Sequence, residues 1–305
     1  MLKHRLLMSA LLIPTMIGLF VWDHHLGESA PVLLVLVLLL SARCVWELVT
    51  LTRAAGFQPN LWFGVASVWS LLVVTWWPHL PKTFYLWESV VLVFVEPDAP
   101  MWAGMFGVVA VLLLVNAVFR YPLNLPRQDA GREIATLGVE LLIVVYVGVL
   151  LAMTSQLRWP GKASSGYFAL GALVVATKMG DVGAYTFGRL IGGPKMTPKL
   201  SPGKTISGGF GHLVTAGLCS VAWLCWLGPM VSTSWQSWDV APAALFGVVV
   251  GFAGLIGDLA ESLIKRDVGV KDAPVLLPGF GGLLDLMDSI LLAGPVAYGM
   301  WHLLR

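Results

Sequence analysis

From Gly257 to Ser289 the chain reads GDLAESLIKRDVGVKDAPVLLPGFGGLLDLMDS. Asp258, Glu261 and Lys265 recur at i, i+3 and i+7, which puts them on one stripe of a helix. Asp285, Asp288 and Ser289 recur at i, i+3 and i+4 and form a second stripe. Ser262 follows Glu261 within the first stripe, and between the two lie Arg266, Lys271, Asp272 and a Pro278-Gly279 turn followed by two more glycines. Converging acids repel one another unless a cation sits between them. Oxygen-only ligands suit Mg²⁺ or a similar hard ion. The pattern therefore predicts a divalent metal between two helices, with basic side chains beside it for an anionic ligand. Two other readings stay open. The acids can be neutralised by Lys178, Lys265 and Arg266 without metal, and intramembrane acids also serve proton or cation transport.

A second run, Lys178 to Gly211, reads KMGDVGAYTFGRLIGGPKMTPKLSPGKTISGGFG. Asp181, Tyr185 and Gly188 fall at i, i+4 and i+7, on one helical face. The loop that follows carries Arg189, Lys195, Lys199 and Lys204 among glycines and prolines, with almost no acid. Backbone N–H groups and ammonium groups together suit a polyanion such as a nucleoside triphosphate. An ordinary basic loop against anionic lipid head groups would carry the same charge, but it would not need the ordered run Ser201-Pro202-Gly203-Lys204-Thr205.

These residues sit in a greasy chain. Of 305 residues, 57% are hydrophobic and 12% charged, against about 25% charged in a soluble domain. The fold class expected is all-α, a polytopic integral membrane protein. Cys44, Cys219 and Cys225 stand singly in apolar segments, with no CxxC pair to support zinc or redox chemistry. The basic, apolar N-terminus lacks a convincing cleavage site and reads as a retained first helix.

A crossing needs about 20 apolar residues. Spans are expected at 5–22, 30–51, 61–77, 101–119, 136–154, 167–188, 209–228, 241–265 and 282–302, about nine transmembrane helices. The segment 84–96 is short and holds Glu88, so it is expected on the membrane surface. With the N-terminus inside, thirteen Lys and Arg residues fall inside and four outside, with Arg43 and Lys178 within spans. That excess fits the positive-inside rule. The expected location is a bacterial-type inner (plasma) membrane, with N-terminus and active site cytoplasmic. Residues 1–155 read as structural N-terminal transmembrane helices. Residues 156–305 read as a catalytic transmembrane region with cytoplasmic-side loops. Arg43 and Glu47, at i, i+4, read as a structural ion pair. At 1.5 Å rise per residue, Asp181 and Asp258 each lie about 10 Å, and Asp285 and Asp288 about 5–9 Å, from the inner helix ends. Three helices thus present acids at one depth.

At these positions the chain resembles the phosphatidate cytidylyltransferase (CDP-diacylglycerol synthase) family. The family signature is matched in register at Ser262, Lys265, Arg266, Lys271, Asp272, Pro278, Gly279, Gly281, Gly282, Asp285, Asp288 and Ser289. Upstream, Asp181, Gly183, Ala184, Tyr185, Gly188, Ser201, Pro202, Lys204 and Thr205 also follow the family's pattern. The resemblance covers roughly residues 165–300. It implies transfer of CMP from CTP to phosphatidate, giving CDP-diacylglycerol and pyrophosphate. It implies Asp258, Asp285 and Asp288 as metal ligands and, with Lys265, as catalytic residues. Asp181, Tyr185, Ser201, Lys204, Thr205, Glu261, Ser262, Arg266, Lys271, Asp272 and Ser289 would bind substrate. The implied cofactor is Mg²⁺, with room for a monovalent cation. The implied partners are CTP, phosphatidate and membrane lipid, without nucleic acid, and homodimerisation is compatible with the resemblance.

Three positions depart from the family pattern. Phe280 stands for a histidine, Leu286 for an arginine and Ser207 for a glutamate. They leave room for a paralogue that uses another lipid phosphate, for a CTP-dependent lipid-alcohol kinase, and for an inactive lipid-binding homologue. An ion transporter is the reading from another class; it would not need the phosphate-type loops.

Overall fold

The computed structural model describes residues 2–80, 111–112, 115–116, 132–160, 166–231, 237–270 and 281–305, and the structural statements below concern these. They form helices α1 (Leu2–Leu26), α2 (Pro31–Ala54), α3 (Leu61–Trp76), α4 (Ile134–Arg158), α5 (Gly166–Leu190), α6 (Ile206–Met230), α7 (Val240–Asp267) and α8 (Leu283–Leu304). Six of them, α2, α4, α6, α7, α8 and α3 with its continuation to His79, are long and apolar enough to cross a membrane. The architecture is that of a helical polytopic membrane protein. Eight of the nine expected spans coincide with helices; the span at 101–119 falls largely, and the surface segment at 84–96 wholly, outside the described residues.

The chain divides into two compact units, Met1–Ala152 and Met153–Arg305. In the first, buried polar groups find partners between helices. Glu140 accepts from the Asn60 backbone N–H at 2.8 Å and from Asn116 Nδ2 at 2.7 Å. Arg43 and Glu47 pair at 2.9 Å, with the Glu47 side chain fully buried, as the i, i+4 spacing predicts.

In the second unit α5 packs chiefly on α6, and α7 lies against α5, α6 and α8. Such approach depends on small residues, because apolar faces gain little from each other in lipid while close backbones gain dispersion. A Cβ on Gly183 of α5 would stand 2.3 Å from Thr215 Oγ1. One on Gly257 of α7 would stand 2.5 Å from the Asp288 carbonyl oxygen of α8. The second contact matters most here, since it brings the two acidic stripes side by side.

The all-helical expectation needs one addition. The basic loop after α5 folds as an antiparallel hairpin, β1 (Lys195–Thr197) and β2 (Ser201–Thr205), with Lys195 opposite Thr205 and Thr197 opposite Ser201. The chain enters it through Gly192 (φ +67°) and Gly193 (φ +103°), left-handed conformations that suit glycine. It leaves through Thr205, whose hydroxyl accepts from the Gly208 N–H at 3.1 Å and caps α6.

Overpacking a tight helix contact costs about 1–3 kcal/mol. Gly257→Ala is therefore expected to lower the thermal unfolding temperature in detergent. Gly299→Ala on α8, where a Cβ meets open space, is expected to leave it unchanged or slightly raised.

Candidate active site

The hairpin, α5, α6 and α7 enclose a cleft of about 550 Å³, within the usual size range of small-molecule sites. Asp181, Tyr185, Lys204, Thr205, His212 and Asp258 contribute to its walls. The hairpin's role is to carry Lys204 over the helix bundle. Its Nζ lies 2.6 Å from Asp258 Oδ2, a charge-assisted contact between a loop cation and a helix acid.

Beside this pair lies an acidic cluster. Asp258, Glu261 and Asp288 each offer a carboxylate oxygen, all within 4.8 Å of one another. Glu261 and Asp288 are buried, Asp258 half-buried. The helical spacing predicts Asp258 and Glu261 on one stripe, and the contact at Gly257 brings Asp288 to it. Three carboxylates this close suit a hard cation by donor type and separation.

Asp285 is placed differently from the other acids. Its Oδ1 pairs with Lys265 Nζ, and its Oδ2 accepts from the Gly282 N–H at 3.0 Å, capping α8. Lys265 also reaches Glu261 Oε1 at 2.7 Å, so one buried ammonium bridges two carboxylates from two helices. Asp258, Glu261 and Asp288 thus form the close triplet, and Asp285 lies directly against Glu261 as well as sharing Lys265 with it. One turn further along α8, Ser289 accepts a hydrogen bond from Lys178 Nζ at 2.8 Å, and Lys178 lies 3.7 Å from Asp181.

The remaining expected site residues divide. Tyr185 is exposed at the cleft, where its hydroxyl accepts from Arg189 Nη1 at 2.6 Å. Ser201 sits in β2, paired with Thr197. Arg266 is exposed, its Nε 3.4 Å from the Leu200 carbonyl. Ser262 is half-buried on α7. Lys271, Asp272, Pro278, Gly279 and Phe280 lie outside the described residues. Ser207 bonds the Thr205 hydroxyl at 3.1 Å and donates to the Gly192 carbonyl, so it ties the hairpin's two ends to α6. Leu286 is half-buried on α8.

Sequence reasoning missed His212. It is wholly buried, it lines the cleft, and its Nδ1 lies 3.7 Å from Asp181 Oδ1. The available signal was modest: among Asp, Glu, Lys, Arg and His it is the sole representative in α6.

Comparison with known proteins bears on this site. The sequence profile described as the Cytidylyltransferase family matches residues 3–304. YnbB of Escherichia coli is 39% identical over 126 residues, 41% of this chain and 40% of that protein. A Mycobacterium bovis protein named phosphatidate cytidylyltransferase is 29% identical over 270 residues, 81% of each chain. One of the same name from Staphylococcus epidermidis is 31% identical over 208 residues, 68% of this chain and 74% of that one.

Removing Lys265 would leave Glu261 and Asp285 without their shared cation. Stranding a buried charge costs about 3–5 kcal/mol. Lys265→Met is expected to unfold at markedly lower temperature in detergent, and adding Glu261→Gln to recover part of the loss.

Proposed function

The chain belongs to the cytidylyltransferase family, and from that premise we propose that it transfers the cytidylyl group of CTP to phosphatidate, releasing pyrophosphate and leaving CDP-diacylglycerol. The observation that carries this reading is the juxtaposition of a close acidic cluster, Asp258, Glu261 and Asp288, with a lysine-bearing hairpin across one cleft. Relatives bearing the name of this activity span most of the chain. A soluble trianionic-to-tetraanionic nucleotide and an anionic lipid head group must meet, and both repulsions have to be offset at once.

In this reading Asp258, Glu261 and Asp288 would hold Mg²⁺, with Asp285 as the adjoining acid that Lys265 holds in place. A bound divalent ion there would neutralise phosphate charge and polarise the reacting phosphorus. The chain's own residues orient the two anions. Lys204, paired with Asp258 at the cleft wall, would meet the nucleotide phosphates. Arg189 and Arg266 are further cations for the phosphates, with Ser201, Thr205 and Ser262 as polar partners; Lys271 joins them on the sequence pattern alone. Lys178 keeps Ser289 and Asp181 in register at the inner end of the cleft. A phosphatidate oxygen attacks the α-phosphorus; the new P–O bond forms as the bond to the β-phosphate bridging oxygen breaks, and pyrophosphate departs with that electron pair. The nucleophile is already an anion, so no side chain has to remove a proton first.

This reading places the protein in a bacterial-type inner membrane, N-terminus and cleft cytoplasmic, with residues 1–155 as the supporting helices and 156–305 as the catalytic part. It leaves dimerisation to be measured.

Three measurements test it. With purified protein, phosphatidate micelles and CTP, label at the α-phosphate is expected to enter lipid while label at the γ-phosphate leaves as pyrophosphate. Entry of γ-label into lipid would instead identify a kinase. Chelation by EDTA is expected to stop incorporation and Mg²⁺ to restore it. Asp288→Asn, losing a metal ligand and hence several kcal/mol of transition-state stabilisation, is expected to lower kcat on the order of 100-fold; a rate within threefold of the parent would remove Asp288 from the reaction.

A further inference from the structure

His212 lines the cleft although none of its surface is exposed to water. A Cβ on Gly180 of α5 would come within 2.5 Å of its Nε2, so that glycine makes room for the imidazole. Across the interface with α7, Nε2 lies 2.9 Å from the Gly251 carbonyl oxygen. A carbonyl can only accept, so Nε2 carries the hydrogen. In the neutral ring Nδ1 is then a bare acceptor. Nδ1 has no hydrogen-bond partner although the residue is 0% exposed. The atom facing it, Asp181 Oδ1 at 3.7 Å, is itself an acceptor.

With the ring neutral and Asp181 ionised, two lone-pair-bearing atoms face each other across this gap, and a donor reaching both would satisfy them. A buried acceptor left unmet costs about 1–3 kcal/mol. A metal ion is a poor candidate for the gap, because Lys178 lies 3.7 Å from the other Asp181 oxygen and Lys204 projects into the same cleft. The occupant that matches is a neutral N–H or O–H group.

Resting on the transferase reading above, the two substrates differ sharply here. Fully ionised phosphate groups and acyl chains offer no donor. The nucleoside half of CTP offers several: the 2′- and 3′-hydroxyls of ribose and the 4-amino group of cytosine. We propose that His212 Nδ1 and Asp181 form an acceptor pair that holds a hydrogen-bond donor of the nucleoside, making His212 a specificity-determining residue for the nucleotide.

The test reads nucleotide binding to the purified full chain in detergent with Mg²⁺ and without lipid. The ligands are CTP, its 2′-deoxy and 3′-deoxy analogues, and UTP, which lacks the 4-amino group. The wild-type protein is expected to bind one of the three analogues roughly tenfold more weakly than CTP, the worth of about one hydrogen bond to a buried acceptor. The analogue that loses affinity identifies the donor. His212→Leu is expected to abolish that preference, and His212→Gln, which can still donate to Gly251 and accept from a ligand, to retain part of it. A wild-type protein that treats all four nucleotides alike would overturn the proposal without any variant. So would a preference that survives in a monodisperse His212→Leu protein, or a Leu effect that falls on the KM for phosphatidate instead. The transferase reading fails separately: nucleoside discrimination with no α-label in lipid would leave His212's role standing and remove the reaction.

Discussion

A carboxylate inside a membrane-spanning helix persists only where something takes up its charge, since an uncompensated ion at the bilayer centre costs about 2.5–3.5 kcal/mol on insertion scales. The C-terminal unit gathers its acids and cations into a connected set on that account. Lys204 meets Asp258, Lys265 meets both Glu261 and Asp285, and Lys178 lies against Ser289 and near Asp181. Each of these links joins two helices, or a helix and the hairpin, except the i, i+4 contact of Lys265 with Glu261 and the i, i+3 contact of Lys178 with Asp181. The helices must therefore lie close, and the contacts at Gly254, against Thr177 and Ser289, and at Gly257, against Asp288, are what allow it. Packing and charge compensation are here one requirement seen twice.

How far this was legible in sequence follows from the range of each signal. The stripes Asp258–Glu261–Lys265 and Asp285–Asp288–Ser289 are local, set by 3.6 residues per turn, and both are realised as helical stripes. Which acid faces which partner is not local. It depends on the rotation of α7 against α8, and that rotation turns Asp288 toward Asp258 and Glu261 while it turns Asp285 toward Lys265. Depth along the axis was readable; azimuth across the interface was not. The hairpin was unreadable for another reason. Its strands hold three and five residues, interrupted by Pro202 and Gly203, too short for a period-two pattern to stand out. His212 escaped notice because its meaning lies in Gly180 and Gly251, residues on two other helices.

Two of the three departures from the family pattern, Ser207 and Leu286, lie among the described residues, and there each is accommodated by its neighbours. Ser207 stands where a glutamate is expected, yet its hydroxyl joins Thr205 to Gly192, so the position still closes the hairpin against α6. At 286 a leucine replaces an arginine, and α8 then holds no Lys or Arg at all. The cations that serve its acidic stripe arrive from elsewhere: Lys265 from α7 to Asp285, and Lys178 from α5 to Ser289. A positive charge beside the first turns of α8 is supplied by tertiary contact and not by α8 itself. That arrangement makes the register of α5 against α8 part of the site, because sliding α5 by one turn, about 5.4 Å, would carry Lys178 out of reach of Ser289 and Asp181 out of reach of His212 together.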